Sequence, residues 1–454
     1  MKKGEITAFL SLIFVLLISF IGAMVESASL QAAKNWRRAD VDKAVYSAFG
    51  EYRKELLEEY ELFAVEESYE SGQFNEVNLL TRLEYYGAGG MENRLEKLQL
   101  LTDNQGYPFR EQVITYMKDY SGISIAEDVL GMSGKWEEQE TGGERYEESE
   151  AENSQALEDT LTENETQLPE TDNPLQTVSA AKSHGVLNIV LSDPQQVSNK
   201  AVRLESMPSN RSLHSGRGAF QVEKNMEGTV SNLLFGEYLL RKFSMATQPN
   251  EDGALSYELE YLIGGKGSDR ENLEYVVKRL LWMRTGANYL YLMTDMQKQA
   301  EAEAMAAALA SLAALPVVTE LVKQALLAAW AYGESVMDLR SLLQGKKVVL
   351  VKTAESWQMQ LSALGKLGTP EDAGDGADME GGLEYKEYLR MLLFLGNKDS
   401  CSMRALDLIE KNMQQSKGLT FFKVDYCVTK IQVKSIVSLR RGITYEFPTY
   451  FAYR

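Results

Sequence analysis

Chemistry needs reactive side chains gathered at one place, and the scarcest candidates here are two histidines, His184 and His214. They are separated by twenty-nine residues and so cannot form the metal-ligand pair that histidines one helical turn apart would make. Both read as exposed loop residues, and no Gly-x-Ser-x-Gly elbow stands in the chain to seat a serine nucleophile. The run Gly264-Gly265-Lys266-Gly267-Ser268 lies between an expected strand and an expected helix, where free backbone amides can hold a phosphate. Its spacing is neither Walker-type nor G-x-G-x-x-G, and a turn followed by a helix cap accounts for every residue. Asp372, Asp375, Asp378 and Glu380 offer the hard oxygen ligands that Ca²⁺ requires. Their three-residue steps miss the EF-hand register, and a solvated acidic loop is the expectation. Cys401 and Cys427 are too few for a disulfide framework, and whether they pair is a matter of geometry. The expectation is a chain that is not an enzyme, with no catalytic residue, cofactor, metal site or small-molecule substrate.

The elements that would carry these groups begin with an apolar run. Residues 6–25 are uncharged, and about 20 residues suffice to cross a hydrocarbon core of about 30 Å. Most are Leu, Ile, Phe or Val, each worth roughly 0.3–0.6 kcal/mol of insertion free energy at a helix centre. The run is long for a cleaved signal, and no Ala-x-Ala site follows it. Residues 1–26 are therefore expected to be a transmembrane anchor, in which Ser11, Ser19 and Gly22 let neighbouring helices approach. Lys2 and Lys3 precede the run, while Lys34, Arg37 and Arg38 follow it. The short, basic start and the long acidic remainder place the N-terminus in the cytoplasm and the rest outside the cell.

Beyond the membrane, residues 26–66 lack proline and contain only Gly50. Val41, Val45, Ala48, Tyr52, Leu56, Tyr60 and Phe63 recur every three or four residues, the stripe of an amphipathic helix. Residues 27–134 are expected to be a helical stalk and helical subdomain, broken at residues 87–90 and at Pro108, with helical spacing over 93–101 and 112–120. Of the net charge of −19, much falls between Glu137 and Asp172, where fourteen acidic residues face one arginine. With few aromatics to bury, residues 135–182 read as a disordered acidic linker. Nothing forms a basic footprint for nucleic acid.

Residues 183–364 alternate in pattern: strands over 187–191 and 255–263, a helix over 228–243, and a helix from Ser268 opened by a Ser268/Glu271 capping box. An alanine-rich helix over 296–315 and a second over 318–343 read as a close-packed pair. Residues 365–382 form a flexible acidic loop, and 383–454 a helix followed by strands over 421–439 and 443–453 around Arg440-Arg441-Gly442. The fold class is α+β: a transmembrane helix continuing into a stalk, then a mixed α+β ectodomain ending in an antiparallel hairpin.

The basic start Lys2-Lys3-Gly4-Glu5, the apolar run, and Ser27-Ala28-Ser29-Leu30-Gln31-Ala32-Ala33 together resemble the TadE/TadG-like minor pilins of tight-adherence (Tad) pilus and secretion systems. The segments GEITAFLSLIFVLLISFIGAMVESASLQ, FGEYRKELLEEYELFAVE and RLEYYGAGGMENRLEKLQLLTD more closely resemble an uncharacterised Gram-positive membrane family, a domain of unknown function linked with Tad-like loci. The first resemblance covers the first fifty or so residues, the second most of the chain outside the acidic stretch. The pilin-like resemblance implies prepilin-type processing between Gly4 and Glu5, although Phe9 stands where the fifth mature residue is usually glutamate. TadG-like proteins also carry an Asp-x-Ser-x-Ser metal site. Asp193-Pro194-Gln195-Gln196-Val197-Ser198 lacks that pattern, and no such site is expected.

These readings converge on a membrane-anchored, outward-facing structural or assembly component of a Tad-like machine. Its partners would be the lipid bilayer and other pilin-like or Tad-type proteins packed along the N-terminal helix. A stand-alone surface binding or sensory module is the alternative, and a membrane-anchored hydrolase a third reading for which no constellation is visible.

Overall fold

A computed structural model describes residues 3–121, 124–171, 173–220, 228–372, 374 and 376–453. Lys2 of the basic start, Asp172 of the acidic stretch and Asp375 of the acidic loop lie outside the described residues. In chain order the elements are α1 (Lys3–Phe49), α2 (Lys54–Tyr60), β1 (Val65–Glu66), α3 (Glu76–Leu83), β2 (Glu92–Leu100), α4 (Asp103–Ser121), α5 (Ser124–Glu163), α6 (Pro174–Ser183) and α7 (Val186–Val190). There follow α8 (Thr229–Lys242), α9 (Glu258–Gly264), α10 (Asp269–Leu292), α11 (Met296–Leu312), α12 (Thr319–Leu343), α13 (Tyr385–Leu395), α14 (Lys398–Ser416), β3 (Cys427–Ser438) and β4 (Thr444–Ala452). The chain divides into two compact units: Met1–Thr115, Ser212–Lys224 and Met413–Arg454 form the first, Tyr116–Arg211 and Asn225–Asn412 the second.

The first unit is built on α1, an unbroken helix of 47 residues. It is the one helix among the described residues long and apolar enough to cross a membrane, and none of its apolar stretch is buried. From Val41 onward the same helix becomes amphipathic, and Val41, Ala44, Val45, Ala48 and Phe49 enter a core shared with Leu79, Leu83, Leu95, Leu98, Val433, Val437 and Phe447. The expected stalk stripe is thus covered by its own unit. The helix ends at Gly50, whose amide closes the last turn on Tyr46 O (3.0 Å). Under it lies an antiparallel sheet with β3 at the centre, β2 along one side, and β1 and β4 along the other. Residues 93–101, expected as helix, lie on strand β2 but for Leu101. The pairing of β2 with β3 slips between Leu95 and Lys97 and again between Gln99 and Leu100. The first adds Glu96 to β2 and the second adds Thr429 to β3, so the buried leucines of β2 do not alternate. The terminal hairpin forms as expected, with Ser438 opposite Thr444 and Lys430 opposite Ala452.

The second unit is helical, centred on α10 and α12, with α5 laid against α10 and α11 against α12. Ser268 caps α10, accepting from the Glu271 amide at 3.3 Å and so satisfying one of the orphan donors of the first turn. The α11/α12 pair matches expectation, and Ala302, Ala306 and Ala310 are buried at its interface. Three segments correct the reading of the sequence. Residues 135–182 are not a disordered linker: α5 runs through Glu163, and Pro174–Ser183 forms α6. The stretch over 187–191 is helix α7, and the one over 255–263 is largely helix α9. In α9 the alternating glutamates face inward as well as the apolar residues, Glu258 being 2 % and Glu260 0 % exposed.

Candidate functional site

In the first unit, strand β4 lies along α1. Lys34 sits over the Tyr445 ring (4.9 Å), Arg38 over Phe447 (5.6 Å), and Thr449 donates to Asp42 at 3.1 Å. Phe451 packs on Phe49 with ring centroids 4.3 Å apart, and the Tyr453 hydroxyl donates to the Phe49 carbonyl. A strand advances about 6.8 Å per two residues and a helix about 6 Å per four, so alternate strand residues meet successive helical turns. The ladder ends at the hairpin turn Arg440–Gly442, where Arg441 pairs with Glu26, the first residue beyond the apolar run.

The second unit holds two polar constructions. One is a closed ionic cluster. Arg284 donates to Asp338 (2.8 Å), and Lys352 bridges Asp338 (2.7 Å) and Glu334 (2.5 Å). Glu334 also accepts the amide of Met359 at 2.6 Å, and Arg284 donates to the Leu350 carbonyl at 2.6 Å. All four charged side chains are at most 1 % exposed. Two cations balance two anions, as burial of charge requires. Burial raises the Asp338 carboxyl, but the Arg284 and Lys352 charges outweigh it and hold the group below the usual carboxylate range. No substrate reaches so closed a cluster; its work is to tie α10 and α12 to the chain after Lys347.

The other is an open cleft of about 920 Å³ between the C-terminal half of α5, α6 and α12. Its volume falls in the range of small-molecule sites. Glu150, Glu158 and Glu165 line it against Lys182, the one cation of its lining among the described residues, which pairs with Glu150. One wall is the helix that the acidic composition concealed. Trp136, Gln139, Gly143, Tyr146, Glu150, Asn153 and Leu157 recur at alternating steps of three and four, a seam pointing to one face. Trp136, Gln139, Gly143 and Tyr146 are indeed buried. Where α5 crosses α10, a Cβ on Gly286 would stand 2.4 Å from the Gly142 carbonyl, so both helices need glycine there. The carboxylates off the seam turn to cations and donors of α10: Arg279 to Glu140 (2.9 Å) and Trp282 to Glu147 (3.1 Å).

Residues 164–439 match a family of unknown function, DUF5702. The chain belongs to DUF5702. No curated protein and no solved structure matches the chain. The DUF5702 segment takes in α6 through α14 and β3, hence the ionic cluster and one side of the cleft; α1 and the whole of α5 lie before it.

The residues singled out in the sequence are scattered over this DUF5702 chain rather than gathered. His184 ends α6, exposed, its ring nitrogen bonded to Ala180 O (2.7 Å). His214 belongs to the first unit and stacks on Phe74, ring centroids 4.7 Å apart. In the 264–268 loop the amides are engaged internally, Gly265 to Tyr261 O (2.8 Å) and Lys266 to the Asn272 side chain (2.7 Å), so the loop is a helix cap. Asp372 is drawn to Arg340 (2.7 Å) and accepts the Gly368 amide (2.7 Å). Burial opposes its charge, yet these bonds hold the carboxyl below its usual range. Asp378 instead accepts the amide of Lys347, and Glu380 is exposed. Among the described residues no group of three or more His, Cys, Asp or Glu is placed to hold a metal. Cys401 and Cys427 are both buried and not joined in a disulfide, and burial lifts the Cys401 thiol to about 11. Gly4 and Glu5 lie at the exposed start of α1, and Ser11, Ser19 and Gly22 are exposed along it. Ser11 bonds back to Ala8 O (2.9 Å), and nothing approaches a Cβ at Gly22 within 4 Å.

Proposed function

We propose that the protein is a single-pass, membrane-anchored, non-enzymatic structural component, outward-facing, that takes part in assembly of a Tad-like surface machine as a pilin-like minor subunit or accessory factor. One observation carries the reading: a single continuous helix whose outer half is apolar and bare while its inner half is the spine of a folded sheet unit. An apolar helix without cover is stable only in lipid or against other apolar helices, and both are what an anchored assembly subunit meets. The Tad connection rests on the resemblance of the N-terminal segments quoted above.

The test is the mature N-terminus of native protein, read by mass spectrometry in membranes and in material sheared from cells. A start at Glu5 in the sheared fraction supports the pilin-like subunit. A start at Met1 confined to membranes supports the accessory factor. A start between Met24 and Leu30 means the helix was removed and overturns the anchor. The cleft of about 920 Å³ favours one other reading, a surface module that binds a small polar or cationic ligand through the acidic wall of α5.

A further inference from the structure

We infer that the turn of the β3–β4 hairpin is a second membrane contact, a headgroup-binding tip that docks its arginines on the phosphates of an anionic phospholipid surface beside the point where α1 enters the bilayer. The inference rests on the reading that α1 spans the membrane and adds to it a site, a ligand class and a geometry.

Height is fixed by helix continuity. From the end of the apolar run at Val25 to Phe49, α1 is unbroken, so each residue stands about 1.5 Å farther from the hydrocarbon edge than the one before. Glu26 is the first residue past that edge, and Arg441 is paired with it. The headgroup layer is roughly 5–8 Å deep on each side of the hydrocarbon, so the guanidinium lies within it. The tip cannot drift from this level, because the ladder from Lys34/Tyr445 to Phe49/Phe451 holds β4 to the helix at each turn.

Chemistry points the same way. Arginine's planar fork of donors matches phosphate oxygens, and two arginines stand in succession at the tip. Arg440 is exposed, and among the described residues no ion-pair partner is in reach of it. Ile443, 40 % exposed, offers an apolar side chain at the same level. Arg441 occupies left-handed backbone (φ 63°), followed by Gly442 (φ 74°). Glycine or asparagine would serve that conformation at lower cost, so the arginine is explained by its side chain, not by the turn. Lys34, Arg37 and Arg38 stand on the same side of the apolar run and add to the positive field facing the lipid. An anionic surface strengthens binding by about fivefold for each such cation.

The test uses the full chain reconstituted in phosphatidylcholine vesicles with and without phosphatidylglycerol. A polarity-sensitive fluorophore is attached through Ser438→Cys, next to the tip, and separately through Leu16→Cys in the apolar run. Cys401 and Cys427 are 5 % and 0 % exposed, and the parent chain controls for their labelling. The expected result is quenching of the Ser438 label by headgroup-attached quenchers, stronger with the anionic lipid. Arg440→Gln with Arg441→Gln should lower the docked-to-free ratio by roughly 25-fold, whereas Arg440→Lys with Arg441→Lys keeps most of it. Glu26→Gln should leave docking intact or strengthen it; loss of quenching there would show an intramolecular ion pair instead and overturn the inference. Quenching indifferent to lipid charge and to the arginines overturns it as well. A Leu16 label not quenched from the bilayer centre refutes the anchor itself, whereas a quenched Leu16 label with a silent tip refutes only the second contact.

Discussion

Replacing Lys352 with methionine isolates the energy of the ionic cluster. Among the described residues the ammonium is the one cation paired with Glu334 and one of two paired with Asp338, and all the side chains concerned are at most 1 % exposed. Removing it leaves two buried carboxylates facing one guanidinium. Loss of one partner from a buried pair costs about 3–5 kcal/mol, a large part of a total of about 5–15 kcal/mol. At about 2–4 °C per kcal/mol for a unit of this size, the melting point should fall by roughly 10 °C. Adding Glu334→Gln should recover about 2–3 kcal/mol, because the glutamine oxygen still accepts the Gln358 and Met359 amides while the surplus charge is gone. Of the five tryptophans, Trp136, Trp282, Trp330 and Trp357 belong to the second unit, so fluorescence-detected denaturant unfolding of the detergent-solubilised chain reads the right part of the molecule. Asp338, held below its usual range, contributes stability above the unfolded carboxyl pKa and loses it as pH falls through the folded value. Lys352→Met should therefore also move acid unfolding to higher pH. A single-variant loss under about 1 kcal/mol, or strict additivity in the double variant, refutes the assignment of stability to this cluster.

The buried Glu260 gives the opposite pH dependence: burial outweighs the Ala246 amide and Tyr385 hydroxyl and lifts its carboxyl to about 7. The folded state then holds the proton more tightly, so stability is greatest below the unfolded pKa and falls by up to about 3 kcal/mol as pH rises to 7. Glu260→Gln should flatten that decline in unfolding curves between pH 5 and 8, leaving the part from Glu67, also raised to about 7 by burial; an unchanged slope rejects the mechanism. Gly286→Ala places a methyl 2.4 Å from the Gly142 backbone and should cost about 1–3 kcal/mol by overpacking. It should open α5 to glutamate-specific proteolysis within residues 137–163, and an unchanged cleavage pattern counts against the crossing. Leu16→Arg with Leu17→Arg should each oppose insertion by about 3–4 kcal/mol and release the chain on alkaline extraction; retention in the pellet would remove α1 as the anchor.

What could be read from the sequence followed from period and punctuation. The Ser268 cap, the β3–β4 alternation and the first part of the stripe, Val41 to Ala48, are present in the structure, but α1 stops at Phe49, so Tyr52 and Phe63 lie outside any helix and Leu56 and Tyr60 fall on the separate α2. The failures have particular causes. Acidic residues off the seam hid the three-four spacing of Trp136, Gln139, Gly143 and Tyr146, because composition averages over all faces of a helix. The bulge at Glu96 spaced Leu95 and Leu98 by three, and Leu101 just past the strand continued that step, which imitates a helix. In α9, Glu258 and Glu260 alternate with apolar residues and imitate a half-exposed strand, although Ser244, Asn412, Ala246 and Tyr385 serve them inside the protein. A run as short as residues 187–191 carries no decisive period in either direction. The ionic cluster is assembled from Arg284, Glu334, Asp338 and Lys352, and only Glu334 and Asp338, one helical turn apart on α12, were neighbours in sequence.

The central strand of the sheet also sets a timetable. β3 is the common partner of β1, β2 and β4, yet more than three hundred residues separate β2 from it in the chain. A ribosome adding about 5–20 residues per second needs roughly 20–70 s to bridge that gap. Throughout it Val41, Val45 and Phe49 have left the ribosome on a completed helix with no sheet to lie on. A newborn chain therefore carries a sticky flank for most of its synthesis, and a transcript cut short before residue 427 yields a molecule whose first unit can never close. For the cell that flank marks an unfinished product, exposed on every incomplete chain and hidden on every complete one.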